Sequence, residues 1–231
     1  METTPDSGKS RRISSSDDLE VSAYLEISQE KESFSKQDPT EHQLHRESII
    51  VVDFGSQYSR LIARRIRESK VYCEIVSFQA TWDSIQELNP KGIVLSGGPS
   101  SVYDDDAPSA PMWVYESNLP VLGICYGMQV MVHQLGGAVS PANKREYGHA
   151  ILHQNTSDDL LFQNIPTSIP VWMSHADQIT ELPPKFFPTA YTDNAPIAAI
   201  SNGSGIIGIQ FHPEVVPVSY THLTLPTNRE V

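Results

Sequence analysis

The chain alternates short apolar runs with helical patterns from residue 48 to residue 135, and this alternation constrains its fold more than any other feature. Short continuous apolar runs are typical of parallel strands that are buried on both faces. The alternation therefore predicts a parallel sheet wrapped by helices, with any ligand at the carboxyl ends of the strands. The predicted strands cover residues 48–53, 72–78, 92–95 and 121–124, and the predicted helices cover 58–68, 82–88, 112–117 and 126–135.

The pattern becomes rich in strands after residue 137. Asn202 and Gly203 form a two-residue turn signal between the last two apolar runs, which predicts a hairpin there. The fold class predicted for the whole is α/β, a mostly parallel sheet flanked by helices with an additional strand-rich C-terminal part. The strands predicted in that part cover residues 150–153, 170–173, 189–192, 197–200 and 206–211.

Composition separates both ends of the chain from the predicted domain, residues 49–216. Residues 1–48 contain six Lys or Arg against eleven Asp or Glu. With few apolar side chains they cannot offset the entropy of ordering, so we expect a disordered N-terminal extension. Residues 217–231 resemble a translated sequencing adapter joined to a truncated reading frame, and we expect an unrelated, disordered tail.

The overall charge and hydropathy exclude several classes of partner. The chain of 231 residues has a formal net charge of −12. We therefore expect no nucleic-acid partner and no membrane partner, because binding to phosphate groups needs clustered Lys and Arg. No apolar run is long enough to span a bilayer, and the first thirty residues hold no secretory signal pattern. We expect a soluble, cytoplasmic protein.

One of the two cysteines stands in a sequence that can expose a nucleophile. The chain has two cysteines, Cys73 and Cys125, which are too few for a disulfide scaffold or a four-cysteine zinc site. Gly123-Ile124-Cys125-Tyr126-Gly127 lies where a predicted strand meets a predicted helix, and it has the form of a nucleophile elbow. The helix N-terminus there favours a thiolate. The alternative is that Cys125 is a buried core residue, which is our interpretation of Cys73.

A thiolate nucleophile needs a base that a third group orients, and one histidine offers both. His212 ends the last predicted strand, and Glu214 lies two residues further along. Because Pro213 keeps the backbone extended, both side chains face the same way, so Glu214 can hold one ring nitrogen of His212. The alternative is a solvated His-Pro-Glu corner.

A glycine-rich loop should lie at the same edge of the sheet as Cys125. Gly97, Gly98 and Pro99 follow the predicted strand 92–95. A backbone N–H of this loop, together with that of Tyr126, would form an oxyanion hole for a reacting carbonyl. The alternative is an ordinary Gly-Pro turn, for which the same residues are equally good evidence.

These motifs together resemble the class I glutamine amidotransferases, and within that family the glutaminase domains that supply ammonia for GMP synthesis. The resemblance covers residues 49–216 and implies the flavodoxin-like fold of the family. DFGSQY, GICYGMQ and KREYG are its specific parts, whereas the cysteine elbow and HPE occur across the family. The matching segments are VVDFGSQYSRLIARRIRE (51–68), IVLSGGPSSVY (93–103), PVLGICYGMQ (120–129), KREYGHA (144–150), VWMSHADQI (171–179) and GIQFHPEV (208–215).

The resemblance implies a role for each matching residue. Cys125 attacks the carboxamide carbon of glutamine, His212 accepts the thiol proton and returns it to the departing ammonia, and Glu214 orients His212. The backbone N–H groups of Gly98 and Tyr126 bind the oxyanion. The residues implied to hold glutamine are Gln129, Ser174 and His175, and those implied to be structural supports are Asp177 and Tyr147.

The resemblance also implies partners outside the domain. L-glutamine is the expected substrate, and a synthetase (ATP pyrophosphatase) domain or subunit, expected to lie outside this chain, uses the ammonia to convert XMP to GMP. We expect no cofactor and no metal in this domain, since ATP and Mg²⁺ belong to the synthetase half. One alternative is a glutaminase subunit for anthranilate or aminodeoxychorismate synthesis, against which DFGSQY and KREYG argue. Another is a non-catalytic regulatory module, against which the intact Cys-His-Glu set argues.

Overall fold

The computed structural model describes residues 47–155 and 160–215, so the expected disorder of both end segments stays a prediction. The described residues form nine strands, four α-helices and a short 3-10 helix, Leu160–Phe162. The strands are β1 (Ser48–Asp53), β2 (Cys73–Ser77), β3 (Pro90–Leu95), β4 (Val121–Ile124), β5 (Ala138–Gln154), β6 (Ser168–Glu181), β7 (Phe187–Tyr191), β8 (Ala199–Ser201) and β9 (Ile206–Ile209). The helices are α1 (Ser59–Glu68), α2 (Trp82–Gln86), α3 (Trp113–Glu116) and α4 (Tyr126–Gln134).

The strands form one mixed sheet in the order β2-β1-β3-β4-β9-β8-β7-β5-β6. The first five strands in this order pair in parallel. The remaining pairings are antiparallel, so the strand-rich C-terminal part continues the same sheet. The predicted α/β fold class is confirmed. The sheet is more evenly mixed than predicted, because β5 to β8 all join it.

Apolar side chains of the central strands alternate between two hydrophobic clusters, one on each face of the sheet. In β1, Ile50 and Val52 belong to the first cluster and Val51 to the second. Met128 of α4 packs in the first cluster and Ile62 of α1 in the second. Helices therefore cover both faces, as a buried parallel sheet requires. Within the described residues, no helix is long and apolar enough to cross a bilayer.

The carboxyl ends of β3, β4 and β9 lie side by side, since β4 pairs in parallel with both neighbours. The chain continues from these three ends into the Gly97-Gly98 loop, Cys125 and the segment that carries His212. Three segments that are distant in sequence are thereby brought to one edge of the sheet, where the alternation predicts a ligand site.

The long hairpin of β5 and β6 differs from the short strands predicted at residues 150–153 and 170–173. The two strands pair from Ala138 and Glu181 to His153 and Ser168, with two irregularities in β5. The buried positions of β6 alternate from Val171 to Ile179, but polar residues occupy two of them, so the apolar signal stops early. The buried side chains of β6 are those of Val171, Met173, His175, Asp177 and Ile179.

Candidate active site

Cys125 occupies a strained turn between β4 and α4. Its backbone has φ 52° and ψ −107°, a combination that few residues other than glycine adopt. A Cβ atom at Gly123 would lie 2.8 Å from the backbone of Gly127, and one at Gly127 would lie 2.3 Å from the Leu95 carbonyl oxygen. Both positions therefore require glycine, and the turn has the elbow geometry that the sequence predicts.

His212 and Glu214 form a buried pair just beyond β9. His212 Nδ1 donates a hydrogen bond of 2.7 Å to Glu214 Oε1, which leaves the other ring nitrogen available. Both side chains are almost fully buried, at 4% and 2% exposed. The bend after the strand is thus a buried ion pair, and the solvated corner that we considered as an alternative is wrong.

The surroundings of His212 favour its protonated form. Burial of the ring lowers the pKa of the imidazole, but the hydrogen bonds with Cys125 and Glu214 outweigh it and raise that pKa from 6.5 to about 10. The His212 ring therefore carries a proton at neutral pH, next to the sulfur of Cys125. A protonated ring at this position can act as a general acid toward a group bound at the sulfur.

Replacement of Glu214 by glutamine is expected to lower the pH at which His212 loses its proton. In the parent protein the contacts with Cys125 and Glu214 raise the pKa of this imidazole to about 10. Because the glutamine amide is uncharged, the midpoint should fall by about one unit or more. A ¹⁵N NMR titration of the imidazole measures it, with Glu181→Gln at the exposed end of β6 as a control that leaves the midpoint unchanged. A parent midpoint near 6.5 would contradict the assignment.

The glycine-rich loop after β3 lies against both the histidine and the elbow helix. A Cβ atom at Gly98 would lie 2.9 Å from the Tyr126 ring, and one at Gly97 would lie 3.4 Å from Cε1 of His212. The ring of Tyr126 also packs edge-on against Phe54, with centroids 5.5 Å apart. The two segments expected to donate oxyanion N–H groups are therefore in direct contact.

Ser174 and Gln129, which the resemblance implies to hold glutamine, flank the cysteine on two sides. Cys125 Sγ lies 3.4 Å from the carbonyl oxygen of Ser174, to which a thiol donates. The buried Gln129 side chain donates through Nε2 to Gln210 Oε1 at 3.1 Å and to the Asp177 carbonyl at 3.3 Å. Both residues are within the site, and their contact with glutamine stays a prediction.

His175 and Asp177, on either side of Ala176 in β6, are buried and held by side-chain contacts. His175 Nδ1 donates to the Asp177 carbonyl oxygen at 2.9 Å. The Asp177 carboxylate accepts hydrogen bonds from Ser101 Oγ at 2.5 Å and Tyr103 Oη at 2.7 Å. Asp177 therefore ties the loop after β3 to β6, as expected of a structural support. Tyr147 is 62% exposed, so its side chain does not support the site in that way.

A buried glutamate of β5, which the sequence did not single out, contacts His175 of β6. Glu146 of β5 is 7% exposed, and its carboxylate lies 3.4 Å from His175 Nε2. The carboxylate also accepts hydrogen bonds from Thr192 Oγ1 at 3.0 Å and Asn194 Nδ2 at 3.4 Å. Glu146 belongs to the KREYG motif, but its partners are up to 48 residues away in the chain. Sequence periodicity carries no signal for such a contact.

Two residues of the segment after β1 contact the pair of His212 and Glu214. The Tyr58 ring packs on that of His212, with centroids 5.4 Å apart. Arg65 Nε donates a hydrogen bond of 3.1 Å to the carbonyl oxygen of Glu214. Both residues belong to the segment 51–68, which the sequence marks only as a similarity to the family. No contact with the site was predicted for either.

The chain, which carries this cysteine elbow beside a His-Glu pair, matches the family model "Glutamine amidotransferase class-I" over residues 50–226. The chain belongs to this family. The match ends inside the segment 217–231, for which the sequence predicts an unrelated tail, so the domain boundary at residue 216 stays a prediction.

Similar proteins include several glutamine-hydrolysing GMP synthases. The chain is 56% identical over 194 residues to the GMP synthase of Dehalococcoides mccartyi strain CBDB1, which covers 83% of this chain and 36% of the relative. It is 53% identical over 169 residues to that of Thermomicrobium roseum, which covers 73% of this chain and 32% of the relative. The chain thus spans about a third of the length of these relatives.

Solved structures agree on the fold. A putative GMP synthase subunit from Thermoplasma acidophilum is 30% identical with a TM-score of 0.65, covering 76% of this chain and 88% of that one. A glutamine amidotransferase from Thermotoga maritima is 21% identical with a TM-score of 0.58, covering 74% and 77%. The second likeness shows the fold alone.

Proposed function

We propose that this chain hydrolyses glutamine to glutamate and ammonia, and that the ammonia serves the amination of XMP to GMP by a synthetase domain or subunit. The observation that carries the proposal is the strained turn at Cys125 beside the buried pair of His212 and Glu214, whose hydrogen bond is 2.7 Å long. The relatives support both parts, since they are named as GMP synthases and as glutamine-hydrolysing.

In the first half of the proposed reaction, Cys125 Sγ attacks the carboxamide carbon of glutamine. The carbonyl oxygen becomes an oxyanion, which the backbone N–H groups of Gly98 and Tyr126 would bind. One such donor lowers the barrier by about 3 kcal/mol. The C–N bond then breaks, the amide nitrogen takes the proton of His212, and ammonia leaves a glutamyl thioester on the sulfur.

In the second half, water attacks the thioester carbon while His212 accepts a proton from it. The C–S bond breaks, the electron pair returns to Cys125 as thiolate, and glutamate leaves. Glu214 keeps the His212 ring in one orientation through both halves and stabilises its positive charge. The fixed orientation is supported by the Glu214 contact with Arg65 and by the Tyr58 ring on His212.

Glutamate release by the purified chain tests the first part of the proposal. With saturating glutamine we expect slow release, which rises when the part of the D. mccartyi GMP synthase that this chain does not match is added with XMP, ATP and Mg²⁺. No release under either condition would overturn it. GMP formation from glutamine tests the second part. An absence of GMP, alongside glutamine-dependent amination of chorismate when a chorismate-aminating synthase subunit is added instead, would favour the anthranilate alternative.

A further inference from the structure

Gln210 lies directly behind the sulfur of Cys125, in the segment between β9 and His212. The side chain is 1% exposed, and its Nε2 atom donates to Cys125 Sγ at 3.6 Å. The Gln210 backbone N–H donates to the Ala198 carbonyl at 2.9 Å, so the residue is fixed beside β8. A side-chain amide donor is therefore held within hydrogen-bond distance of the sulfur.

Gln129 fixes which end of the Gln210 amide faces the sulfur. Gln129 Nε2 donates to Gln210 Oε1 at 3.1 Å and to the Asp177 carbonyl at 3.3 Å. Because a donor already occupies the oxygen end of the Gln210 amide, the nitrogen end is the one directed at Cys125. The amide therefore presents an N–H to the sulfur rather than a lone pair.

The thiol and the thiolate of Cys125 have different partners in this arrangement. A thiol proton can be donated to the Ser174 carbonyl oxygen, which lies 3.4 Å from Sγ. A thiolate has no proton to donate and needs hydrogen-bond donors, and those near it among the described residues include Gln210 Nε2 and the His212 imidazolium. The Ser174 carbonyl thus favours the thiol form of Cys125, and the Gln210 amide favours the thiolate form.

We propose that Gln210 is a further catalytic residue, which stabilises the Cys125 thiolate through a direct amide hydrogen bond, and that Gln129 positions it. The role deepens the proposed function, since it concerns the same nucleophile. The same N–H stabilises the sulfur as leaving group when the C–S bond of the thioester breaks and the electron pair returns to Cys125.

The charged side chains near this sulfur, apart from that of His212, bind partners other than Cys125. Glu214 is bound to His212 at 2.7 Å, and it approaches the cysteine only through that ring. On β6, His175 contacts Glu146, and the Asp177 carboxylate is held by hydroxyl donors of the loop after β3. Among the described residues, replacement of Gln210 therefore changes the stability of the thiolate without removing a charge from the site.

The pH dependence of Cys125 alkylation tests the proposal. The chain without glutamine is treated with iodoacetamide at a series of pH values. Peptide mass spectrometry then distinguishes the Cys125 adduct from the Cys73 adduct. Gln210→Met removes the donor at similar volume, so the pH of half-maximal alkylation should rise by about one unit. Below the midpoint the alkylation rate should fall about threefold, because a roughly tenfold smaller thiolate fraction is partly offset by a more reactive thiolate. Gln210→Glu should raise it further, because it places a carboxylate beside the sulfur.

The alkylation rate on the high-pH plateau gives a second measurement. A merely structural role for Gln210 would not raise this rate. A less stabilised thiolate is a stronger nucleophile, so Gln210→Met should react about threefold faster than the parent on the plateau. The two profiles should therefore cross. Gln134→Met, which removes a comparable glutamine amide at the far end of α4, serves as the matched control and should leave the profile unchanged.

Coincident profiles of folded Gln210→Met and parent protein would overturn the proposal, as would an equal shift in Gln134→Met. Circular dichroism reports whether each variant is folded. If Gln210→Met does not fold, Gln129→Met decides, because loss of the orienting donor should shift the profile in the same direction by a smaller amount, and no shift overturns the proposal. The measurement needs no glutamine, so it stands apart from a failure of the proposed hydrolysis.

Discussion

Replacement of Cys125 by alanine is expected to reduce glutamate release by at least about 10⁴-fold, because the reaction loses the atom that bonds to the substrate. The fold should survive, since alanine removes only the sulfur atom of this buried side chain, which is 7% exposed. Glutamate release at saturating glutamine, with and without a synthetase partner, measures the loss. Thermal unfolding shows whether the variant keeps its structure.

Cys73→Ala is the matched control for this variant. Cys73 is fully buried in β2, and its thiol donates to the Ala63 carbonyl oxygen at 3.4 Å. Burial raises the pKa of this thiol, which makes Cys73 a poor nucleophile. The control should lose some stability and keep its activity. Equal activity in the two variants would contradict the assignment of Cys125 as nucleophile.

Replacement of Gly127 by alanine is expected to lower the stability of the domain by about 3 kcal/mol or more, and the melting temperature by about 10 °C. The new Cβ atom would lie 2.3 Å from the Leu95 carbonyl oxygen and 2.7 Å from the Leu95 Cβ atom. Relief of this clash requires α4 to move away from β3, and the N–H of Tyr126 moves with it. Glutamate release should therefore fall together with the melting temperature.

Gly148→Ala separates a clash from the general cost of replacing a glycine. Gly148 has φ +92°, so alanine is strained there, but its Cβ atom would meet nothing within 4 Å. The expected loss is about 1 kcal/mol, and activity should be kept. If both variants lost the same stability and the same activity, the close approach of α4 to β3 would not be what requires glycine at the elbow.

The parallel half of the fold could be predicted because each of its signals is local. The strands predicted at residues 48–53 and 121–124 have the observed bounds of β1 and β4. The helix predicted at 58–68 begins one residue later, at Ser59. In these segments burial on both faces produces continuous apolar runs, and α1 shows its buried stripe directly in the sequence.

The antiparallel hairpin of β5 and β6 could not be predicted at its full length, because its buried face is held by polar pairs. Glu146 and His175 face each other across the two strands, and Asp177 takes its hydrogen bonds from a loop more than seventy residues away. A period of two is present in β6, but only part of it is apolar. Polar residues at inward positions become a strand signal only when their partners are known.

Some features of the site could be predicted from the sequence and others could not. The glycines around Cys125 and the extended His-Pro-Glu spacing are local features, and each predicts the geometry that the structure shows. Gln210 belongs to the same motif as His212, but the direction of its amide depends on Gln129, which lies 81 residues away. Contacts of that kind follow from the sheet order, in which β4 and β9 are neighbours.

The most direct test of the central claim, that Cys125 is the nucleophile of a glutaminase site, is covalent labelling with a diazoketone analogue of glutamine. We expect one adduct per chain on Cys125, none on the buried Cys73, and protection from labelling by added glutamine. The label should also be lost in His212→Asn. An intact chain in which Cys125 stays unlabelled, or in which glutamine gives no protection, would contradict the claim.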